Sequence, residues 1–448
     1  MKQFDAVVIG GGILGCFTAR NLSRWKMSTL LLEKEDDVCK GITRANSAVV
    51  YAGYDNKPGS FKAELTVRGN ANMASLCEEL EVPFSRCGSL LVTYDEASVS
   101  KLQKKLQNSI QNGVPGVRML TGSEAEAMEP MLKPGVVAAL YAPTTGTVNP
   151  WQLGIAAYEN ALQNGAKAML NTSVIGIRKE EDGFLVETTG ETYRCKIVFN
   201  CAGLYADQVQ DLLLPSAVRL KLDAAEYLVL DKRAKKPGRV IFFQAERCGK
   251  GITAIPCTEG NLLISGVRKD LTAPFVTTAA GLEELCRDTK AMLPPVELSQ
   301  VIRSFGAVRP NPHMESGESV NDFCIENPVP GFYSLIGIKT PGLTASNELC
   351  LHLAKLGAVY LGAAENPSFD PHRPGIRKKE EPDFYEIICR CEHITRGQIL
   401  EAIRRGAITV DGVKRRVGAG MGRCQGSRCA WEIAKILKET GVNPEPLF

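Results

Sequence analysis

Three glycines near the start of the chain have the spacing of a phosphate-binding loop. The segment GGGILG, Gly10–Gly15, fits the pattern G-x-G-x-x-G. Glycine permits a tight turn at Gly10, lets the backbone approach a pyrophosphate at Gly12, and lets a following helix pack closely at Gly15. The helix N-terminus would then offer free N–H groups and a positive dipole to the phosphates. With Glu33 placed to bind ribose hydroxyls, the pattern predicts a dinucleotide site, for FAD or NAD.

Four cysteines near the other end of the chain form a second candidate site. They are spaced Cys389-x-Cys391 and Cys424-x4-Cys429, whereas the other eleven of the fifteen cysteines, Cys248 among them, are scattered. An odd number of cysteines in a chain without an export signal does not indicate a disulfide framework. Structural zinc usually takes cysteines two to four residues apart, so the C-x-C pair counts against it, and four thiolates equally suit a [2Fe–2S] cluster.

The elements around the glycine loop have the order of a Rossmann unit. A short apolar run over Ala6–Ile9 predicts a strand, Cys16–Trp25 predicts a helix, and Thr29–Leu32 predicts a second strand. Strand, glycine turn and helix recur within Lys196–Val209 and within Gly331–Gly357. Three separated pieces of this kind indicate one discontinuous nucleotide-binding domain.

Length and composition limit the class of protein. At 448 residues the chain is expected to form two or three domains, and 44% hydrophobic with 23% charged residues is typical of a globular protein. A net charge of +3 indicates neither nucleic acid nor membrane as a partner. No apolar run reaches the length of a membrane span, and the N-terminus lacks signal-peptide features. The chain is therefore predicted to be cytoplasmic.

The last part of the sequence is predicted to be a small separate domain. The segment Ala363–Phe384 is rich in proline and charge and is interpreted as a linker. Beyond it, Thr395 and Gln398 form a capping-box pattern that starts a helix to Arg405, and Cys429–Thr440 repeats apolar residues at helical spacing. A domain of about 60 residues is expected to need a metal or disulfide to stabilise it.

Several motifs together resemble one enzyme family. They are GGGILG with Glu33, RANSAVVYAGYDNKPGSFKAEL (Arg44–Leu65), NCAGLYAD, GKGITAIPCTEGNLL (Gly249–Leu263) and GIKTPGLTAS (Gly337–Ser346). With these motifs the chain resembles the two-domain FAD oxidoreductases of the D-amino-acid-oxidase superfamily, and within it the group of anaerobic glycerol-3-phosphate dehydrogenase and L-2-hydroxyglutarate dehydrogenase. The resemblance covers most of residues 1–360 and implies FAD rather than NAD.

The resemblance implies an α/β fold, with a Rossmann-type FAD-binding domain, an interleaved α+β substrate domain and a small helical C-terminal iron–sulfur domain. The expected boundaries are 1–83, 142–214 and 323–362 for the FAD-binding domain, 84–141 and 215–322 for the substrate domain, 363–384 for the linker, and 385–448 for the iron–sulfur domain. The residues expected to bind FAD are Gly10, Gly12, Ile13, Leu14, Gly15, Glu33, Lys34, Thr43, Arg44, Asn46, Ser47, Ala48, Val174, Ala202, Gly203, Gly342, Leu343 and Thr344.

The same resemblance implies hydride transfer to flavin N5 from a small anionic substrate. Arg309 matches the arginine that holds the substrate's acid group, and Lys339 is expected to add positive charge near the flavin. Relatives usually have a histidine base where this chain has Tyr51, and they also differ around Asp223–Tyr227 and Ser265–Val267. These departures leave an amino or imino acid as an alternative to glycerol 3-phosphate or a 2-hydroxy acid.

The chain has only four histidines, which are His313, His352, His372 and His393. His313 closely follows Arg309, but we expect it to lie in a loop outside the pocket. Tyr51, Arg309 and Lys339 are therefore the residues predicted to act on the substrate, and no general base is assigned.

The C-terminal segment from Cys389 to Cys429 resembles the bacterioferritin-associated-ferredoxin-like module, which implies a [2Fe–2S] cluster on the four cysteines. Lys414, Arg415, Arg416, Arg423 and Arg428 are expected to surround it and to attract an acidic redox partner. The hypothesis is a dehydrogenase subunit of a heteromeric complex, passing electrons to an NAD- or quinone-linked flavoprotein, with no nucleic acid partner. A third possibility is a scaffold or electron-transfer subunit that has lost catalysis.

Overall fold

A computed structural model of the chain describes residues 2–244, 251–268, 274–376 and 379–443. Cys248 and the first two residues of the Gly249–Leu263 motif therefore lie outside the described residues. The strands are β1 Lys2–Ile9, β2 Thr29–Leu32, β3 Val49–Val50, β4 Phe84–Ser85, β5 Ser89–Thr93, β6 Arg118–Thr121, β7 Ala138–Ala142, β8 Gly146–Val148, β9 Lys167–Met169, β10 Val174–Glu180, β11 Gly183–Thr188, β12 Thr192–Asn200, β13 Val218–Leu230, β14 Val240–Phe243, β15 Thr253–Pro256, β16 Leu262–Arg268, β17 Val301–Met314, β18 Cys324–Glu326, β19 Phe332–Ile336, β20 Ile387–Cys389 and β21 Ile394–Thr395.

The α-helices are α1 Ile13–Leu22, α2 Phe61–Glu79, α3 Val99–Gln111, α4 Gly122–Met128, α5 Pro150–Gln163, α6 Ala206–Asp211, α7 Ala279–Met292, α8 Gly342–Leu361, α9 Arg396–Arg404, α10 Val410–Val417 and α11 Ala430–Glu439. None of them, in the part of the chain that the structure describes, combines the length and the apolar character that crossing a bilayer requires.

The first sheet contains the strands predicted for the dinucleotide fold. Its order is β10-β11-β12-β1-β2-β9, with β19 also paired to β12 and β18 to β19. The pairs of β1 with β2 and β12, of β2 with β9, and of β12 with β19 are parallel. Because Ile9 is in register with Asn200, and Asn200 with Ser334, the carboxyl ends of β1, β12 and β19 lie at one edge. Ligands of open α/β sheets bind at such an edge.

The structure confirms the strand–loop–helix order at the N-terminus, with different bounds. The first strand starts earlier than predicted, at Lys2, and the helix runs over Ile13–Leu22 and not over Cys16–Trp25. Helix α1 packs between α5 and α8. Apolar side chains of these elements form buried clusters on both faces of the sheet, as expected for parallel strands.

The second sheet covers the cavity described below. Its order is β17-β13-β16-β15-β14-β5-β7-β6, so it draws strands from two separated stretches of the chain. The apolar runs at Glu226–Asp231 and Val240–Gln244 predict strands, and the structure confirms both, with β13 ending at Leu230 and β14 at Phe243. β3, β8 and β4 form a separate small sheet, and Thr147 of β8 donates to the carbonyl of Pro256 of β15. The domain boundaries expected from the sequence stay a prediction.

The C-terminal segment forms three helices around its own core. The predicted capping box is confirmed, because Thr395 and Gln398 exchange both of its hydrogen bonds at the start of α9. The helix predicted from Cys429 is confirmed as α11. Buried Ile399, Val413 and Ile433 belong to one hydrophobic cluster that also contains Cys389 and Cys429.

The segment interpreted as a linker follows the surface of the first sheet's helices. Asn160 of α5 donates to the carbonyl of Asp370, and Arg20 of α1 donates to the carbonyl of Pro371. Arg373 then forms an ion pair with Glu159. The described part of this segment is thus held along its length.

Candidate active site and cysteine site

The glycine loop after β1 has the geometry that the pattern predicts. Gly10 has φ +100°, in the left-handed region, and a Cβ at Gly15 would lie 1.8 Å from the Gly10 carbonyl oxygen. Either position would be strained by a larger residue. The N–H of Ile13 donates to Thr43 Oγ1 at 3.0 Å, which ties the start of α1 to the segment after β2.

Glu33 stands beside this loop at the end of β2. Its carboxylate accepts hydrogen bonds from the N–H groups of Gly11 and Glu35. Burial raises the pKa of Glu33, and the two backbone hydrogen bonds oppose that shift. The Glu33 side chain is therefore fixed next to the glycine loop, in the position predicted for a carboxylate that binds the ribose hydroxyls.

One cavity of about 910 Å³ connects the glycine loop with the second sheet. Most of the residues expected to bind FAD line it, namely Gly10, Gly12, Ile13, Leu14, Glu33, Lys34, Thr43, Arg44, Asn46, Ser47, Ala202, Gly203, Gly342 and Leu343. Gly15, Ala48, Val174 and Thr344 are not among its lining residues. Gly15 packs beneath the glycine loop, and Ala48 directly precedes β3 with φ +58°. Val174 begins β10, and Thr344 accepts a hydrogen bond from the Tyr51 N–H.

Two helix N-termini without side-chain caps line this cavity. Helix α1 starts after Gly12 and α8 starts after Pro341, and neither preceding residue makes a side-chain capping bond. In α1 the Ile13 N–H is already bonded to Thr43, and the remaining N–H groups of each first turn, with the positive end of the helix dipole, favour negative charge. One terminus suits a pyrophosphate, and the other suits the negative charge that reduction places near flavin N1 and O2. The residues present therefore fit FAD.

Tyr51 lines the cavity, and both its backbone N–H and its backbone carbonyl are hydrogen-bonded. Its N–H donates to Thr344 Oγ1 at 2.9 Å, and its carbonyl accepts from Asn70 at 3.1 Å. The ring stacks on Phe242 with centroids 5.9 Å apart. Burial raises the pKa of Tyr51, so the phenol stays protonated at neutral pH. It can donate a hydrogen bond but is not suited to act as a base.

Arg309, on β17, lines the same cavity as the glycine loop. The antiparallel register of β17 with β13 places it opposite Asp223. Its Nε is buried and has no hydrogen-bond partner among the described residues. A buried donor without a partner is costly, so this nitrogen is available to an acceptor brought by a ligand.

Lys339 adds a second positive charge beside Arg309. Its ammonium group donates to Asn311 Oδ1 at 3.2 Å. Burial and the charge of Arg309 lower the pKa of Lys339, and the charge of Asp223 opposes them. This end of the cavity therefore holds two cationic side chains and one carboxylate, which favours an anionic ligand.

No histidine lines the cavity within the described ranges. The expectation that His313 lies in a loop is wrong, because it is part of β17 and its Nδ1 contacts the carbonyl of Asn311 at 3.0 Å. A long strand that ends in proline and asparagine residues gave no strand signal in the sequence.

Sequence reasoning missed several lining residues. They are Tyr54, Asp223, Tyr227, Phe242 and Gln244, together with Lys101, Lys104 and Lys105 of α3. Side chains alternate between the two faces of a strand, so Asp223 and Tyr227 lie on the same face of β13. This much could have been predicted from the sequence. Which face meets Arg309 depends on the register of β13 and β17, which is not a local property.

The four C-terminal cysteines lie in two pairs. The sulfurs of Cys391 and Cys424 are 3.6 Å apart, and Cys389 and Cys429 are in hydrogen-bond contact. All four are free thiols. The hydrogen bond from Cys429 lowers the pKa of Cys389 to about 6. Across the described part of the chain, no three His, Cys, Asp or Glu side chains converge as ligands of a single metal ion.

Paired thiols suit two irons better than one zinc. A tetrahedral zinc needs four ligands around one point, whereas a [2Fe–2S] cluster is held by four thiolates shared between two irons. The N–H of Gly420 also donates to Cys389 Sγ at 3.4 Å, the kind of hydrogen bond to sulfur that tunes such clusters. The donor set therefore fits a [2Fe–2S] cluster.

The basic residues near these cysteines are only partly as expected. Arg415 and Arg416 do not face solvent, because both are buried and form ion pairs with Asp37 at 2.7 and 2.6 Å. They join the C-terminal helices to the segment after β2. Lys414 is half-buried, and Arg423 and Arg428 are exposed.

Comparisons with known proteins agree with this geometry. A family model described as FAD dependent oxidoreductase (DAO) matches residues 5–356, and one described as a BFD-like [2Fe-2S] binding domain matches residues 387–439. A glycerol 3-phosphate dehydrogenase of Caloramator mitchellensis is 38% identical over 98% of this chain and 95% of its own. An L-2-hydroxyglutarate dehydrogenase of Indibacter alkaliphilus is 26% identical over 77% of this chain and 96% of its own.

A solved structure supports the fold. L-alpha-glycerophosphate oxidase from Mycoplasma pneumoniae with FAD bound matches with a TM-score of 0.76 and 26% identity, covering 83% of this chain and 99% of that one. The resemblance drawn from the sequence motifs is confirmed. The chain belongs to the FAD-dependent oxidoreductase (DAO) family, and it is an FAD enzyme with a C-terminal BFD-like [2Fe–2S] domain.

Proposed function

We propose that this chain is the substrate-oxidising subunit of a cytoplasmic, heteromeric dehydrogenase that acts on glycerol 3-phosphate or a 2-hydroxy acid. Electrons would leave through the C-terminal [2Fe–2S] domain to a partner redox protein, an NAD- or quinone-linked flavoprotein. The relative with 38% identity over almost the whole chain supports glycerol 3-phosphate as the first substrate to test.

The observation that carries the proposal is that the Nε of Arg309, beside Lys339, has no hydrogen-bond partner within the described ranges. A guanidinium can hold a phosphate or carboxylate through two parallel hydrogen bonds. A phosphate monoester carries close to two negative charges at neutral pH, and two neighbouring cations match it better than one. We therefore place the substrate's anionic group against Arg309 and Lys339, and the carbon to be oxidised toward the flavin.

Bound FAD supplies the chemistry, accepting a hydride at N5. The residues of the chain would position the substrate and stabilise the charges that form during its oxidation. The start of α8, at Gly342, would stabilise negative charge on the reduced flavin. Tyr51, protonated at neutral pH, would donate a hydrogen bond to the substrate oxygen or nitrogen. The second sheet covers the reacting atoms and limits the access of water.

A fused [2Fe–2S] domain supports a dehydrogenase rather than an oxidase. Flavin takes two electrons as a hydride, whereas a [2Fe–2S] centre carries one at a time. A domain of this kind is useful when electrons must leave singly for another protein, and reduction of oxygen by flavin does not need it.

A second candidate substrate is an amino or imino acid. The observation that favours it is the absence of a histidine among the described residues lining the cavity, with protonated Tyr51 in its place. An amine that enters as the free base can lose hydride without a side-chain base, whereas an alcohol needs an acceptor for its hydroxyl proton.

Anaerobic mixing of the FAD-loaded enzyme with single substrates tests these candidates. Glycerol 3-phosphate or a 2-hydroxy acid is expected to bleach the flavin absorbance. Bleaching by amino acids alone would replace the main proposal with the second candidate. No bleaching by any compound of either class would favour a subunit that has lost catalysis.

Changing Tyr51 to phenylalanine is expected to lower the rate of anaerobic flavin reduction by about 10-fold. The variant keeps the ring that stacks on Phe242 and loses only the phenol donor, and one hydrogen bond is worth about 1 kcal/mol or more. The matched control is Tyr333→Phe, because Tyr333 is buried against Phe199 away from the cavity. An unchanged rate in Tyr51→Phe would remove the phenol from the mechanism.

Changing Cys391 to serine is expected to reduce bound iron and sulfide while FAD content stays near that of the parent. The two sites share no residue, so loss of a thiolate from one pair should spare the flavin. Cys286→Ser, in α7, is the control. Chemical analysis checks the result, and about one zinc per parent chain with no iron would contradict the cluster.

A further inference from the structure

The cysteine site has one buried side and one open side. Cys389 and Cys429 are each 1% exposed, whereas Cys391 is exposed and Cys424 is partly exposed. The Cys391–Cys424 pair therefore marks the side from which a partner can approach most closely.

Three exposed arginines are direct sequence neighbours of the cysteines. Arg390 lies between Cys389 and Cys391, Arg423 precedes Cys424, and Arg428 precedes Cys429. Consecutive Cα atoms are about 3.8 Å apart, so each arginine is tied to the cysteine site by a single peptide unit. None of the three forms an ion pair with another described residue.

The second sheet extends this basic surface. Exposed Arg303 of β17 reaches Gln425, next to Cys424, with Nη1 and Oε1 3.5 Å apart. Burial and the charge of Arg303 lower the pKa of Lys414, and the charge of Asp411 opposes that shift. Basic side chains from two parts of the fold thus meet at the open edge of the cysteine site.

Three acidic side chains of the C-terminal segment are already paired. Glu392 forms an ion pair with Lys232 at 2.5 Å, and Asp411 forms one with Arg415 at 2.9 Å. Glu432 of α11 pairs with Lys435 at 3.2 Å. Because these carboxylates are neutralised locally, the charge of the arginines is not cancelled, and the surface is positive.

We propose that the surface formed by Cys391, Arg390, Arg423, Arg428 and Arg303 is the docking site for an acidic redox protein. The proposal rests on the proposed function in one respect, that electrons reach the C-terminal domain. Transient redox complexes have small interfaces, in which complementary charge sets the rate of productive encounter. An acidic face would be drawn to the side where Cys391 is exposed, and one electron would then pass to the acceptor.

The test uses the full-length enzyme, loaded with FAD and cluster, and two forms of one acceptor. Native cytochrome c is basic, and succinylated cytochrome c has the same fold and haem with an acidic surface. Under anaerobic conditions the enzyme is reduced by glycerol 3-phosphate, and each electron delivered converts one ferric haem to ferrous. The dissociation constant of the oxidised enzyme for each acceptor is measured separately, as a readout that does not depend on turnover.

Succinylated cytochrome c is expected to bind more tightly and to be reduced faster than the native form, with a rate that falls as salt is added. The double variant Arg423→Glu and Arg428→Glu is expected to weaken that binding about 10-fold or more and to reverse the preference. Lys438→Glu is the control, since Lys438 is exposed on α11 of the same domain but lies further from the cysteines in the sequence. Lys438→Glu should leave both the dissociation constant and the rate of reduction of succinylated cytochrome c near those of the parent.

Two results would overturn the proposal. One is an unchanged preference in the double variant while its iron content and its reduction of menadione, a small neutral acceptor, stay normal. The other is tight binding of a random DNA duplex that the same double variant abolishes, which would assign the surface to nucleic acid. Failure of the parent to reduce menadione with any substrate would instead count against the proposed function, so the two failures are distinguishable.

Discussion

Replacing Arg309 with methionine is expected to raise KM for glycerol 3-phosphate by on the order of 100-fold. Methionine keeps much of the side-chain volume and removes the guanidinium, whose buried Nε has no hydrogen-bond partner in the described part of the chain. Truncating one member of a desolvated, hydrogen-bonded charge pair costs about 2–5 kcal/mol, and each 1.4 kcal/mol is about tenfold in affinity. Steady-state kinetics with a small neutral acceptor would measure the change without involving a protein partner.

The variant Arg309→Lys separates charge from geometry. Lysine retains the positive charge but loses the planar fork that binds two oxygens, so its KM should lie between those of the parent and Arg309→Met. Arg178→Met, on an exposed strand of the first sheet, is the control and should behave as the parent does. Equal KM values for Arg309→Met and the control would show that the substrate's acid group binds elsewhere.

Replacing Asp37 with alanine is expected to lower the free energy of unfolding by about 3–5 kcal/mol. Asp37 is 1% exposed and accepts hydrogen bonds from Arg415 and Arg416, so its removal takes the shared buried carboxylate from two buried guanidinium groups. Arg415 keeps its ion pair with the half-exposed Asp411 at 2.9 Å. Arg416 keeps its longer ion pair with Glu159 at 3.6 Å, and neither remaining partner replaces the carboxylate that the two guanidinium groups share. Denaturant unfolding followed by tryptophan fluorescence would measure the loss.

The same change should also loosen FAD. Arg415 donates to the Val38 carbonyl, and the Cys39 N–H donates to the Gly11 carbonyl, so this segment lies between α10 and the glycine loop. Asp36→Ala is the matched control, because Asp36 is partly exposed and pairs with Lys40 nearby. If Asp37→Ala keeps the stability and FAD affinity of the control, the ion pairs of Asp37 with Arg415 and Arg416 have no structural role.

The pH dependence of stability has a defined sign at Asp37. Burial by itself would raise the pKa of Asp37, but the hydrogen bond and charge of Arg416 and the charge of Arg415 outweigh it and hold the pKa below its usual value. The folded state therefore binds this proton less readily than the unfolded state does. The stabilisation is complete above about pH 4 and is lost as the pH falls through the folded-state pKa. Asp37→Ala should flatten the acid limb of the stability curve.

The sequence by itself determined the parts of this protein whose chemistry is local. The glycine loop with Glu33 lies within one strand–helix–strand unit, and each of the pairs Cys389/Cys391 and Cys424/Cys429 lies within a few residues; their residue types are restricted by backbone geometry or ligand chemistry. The helix at Thr395 was likewise predicted by its own capping residues and is confirmed. Such features need no knowledge of distant contacts.

Only the tertiary structure decided which distant residues meet. The register of β13 with β17 places Asp223 opposite Arg309, and a shift by one residue would have turned both strands' side chains to other faces. The sequence also does not predict that Arg415 and Arg416 are buried against Asp37. Charged residues in a helix are expected to be exposed to solvent unless a partner elsewhere in the chain is known. Pairing across hundreds of residues depends on packing over the whole fold, and no local pattern in the sequence records it.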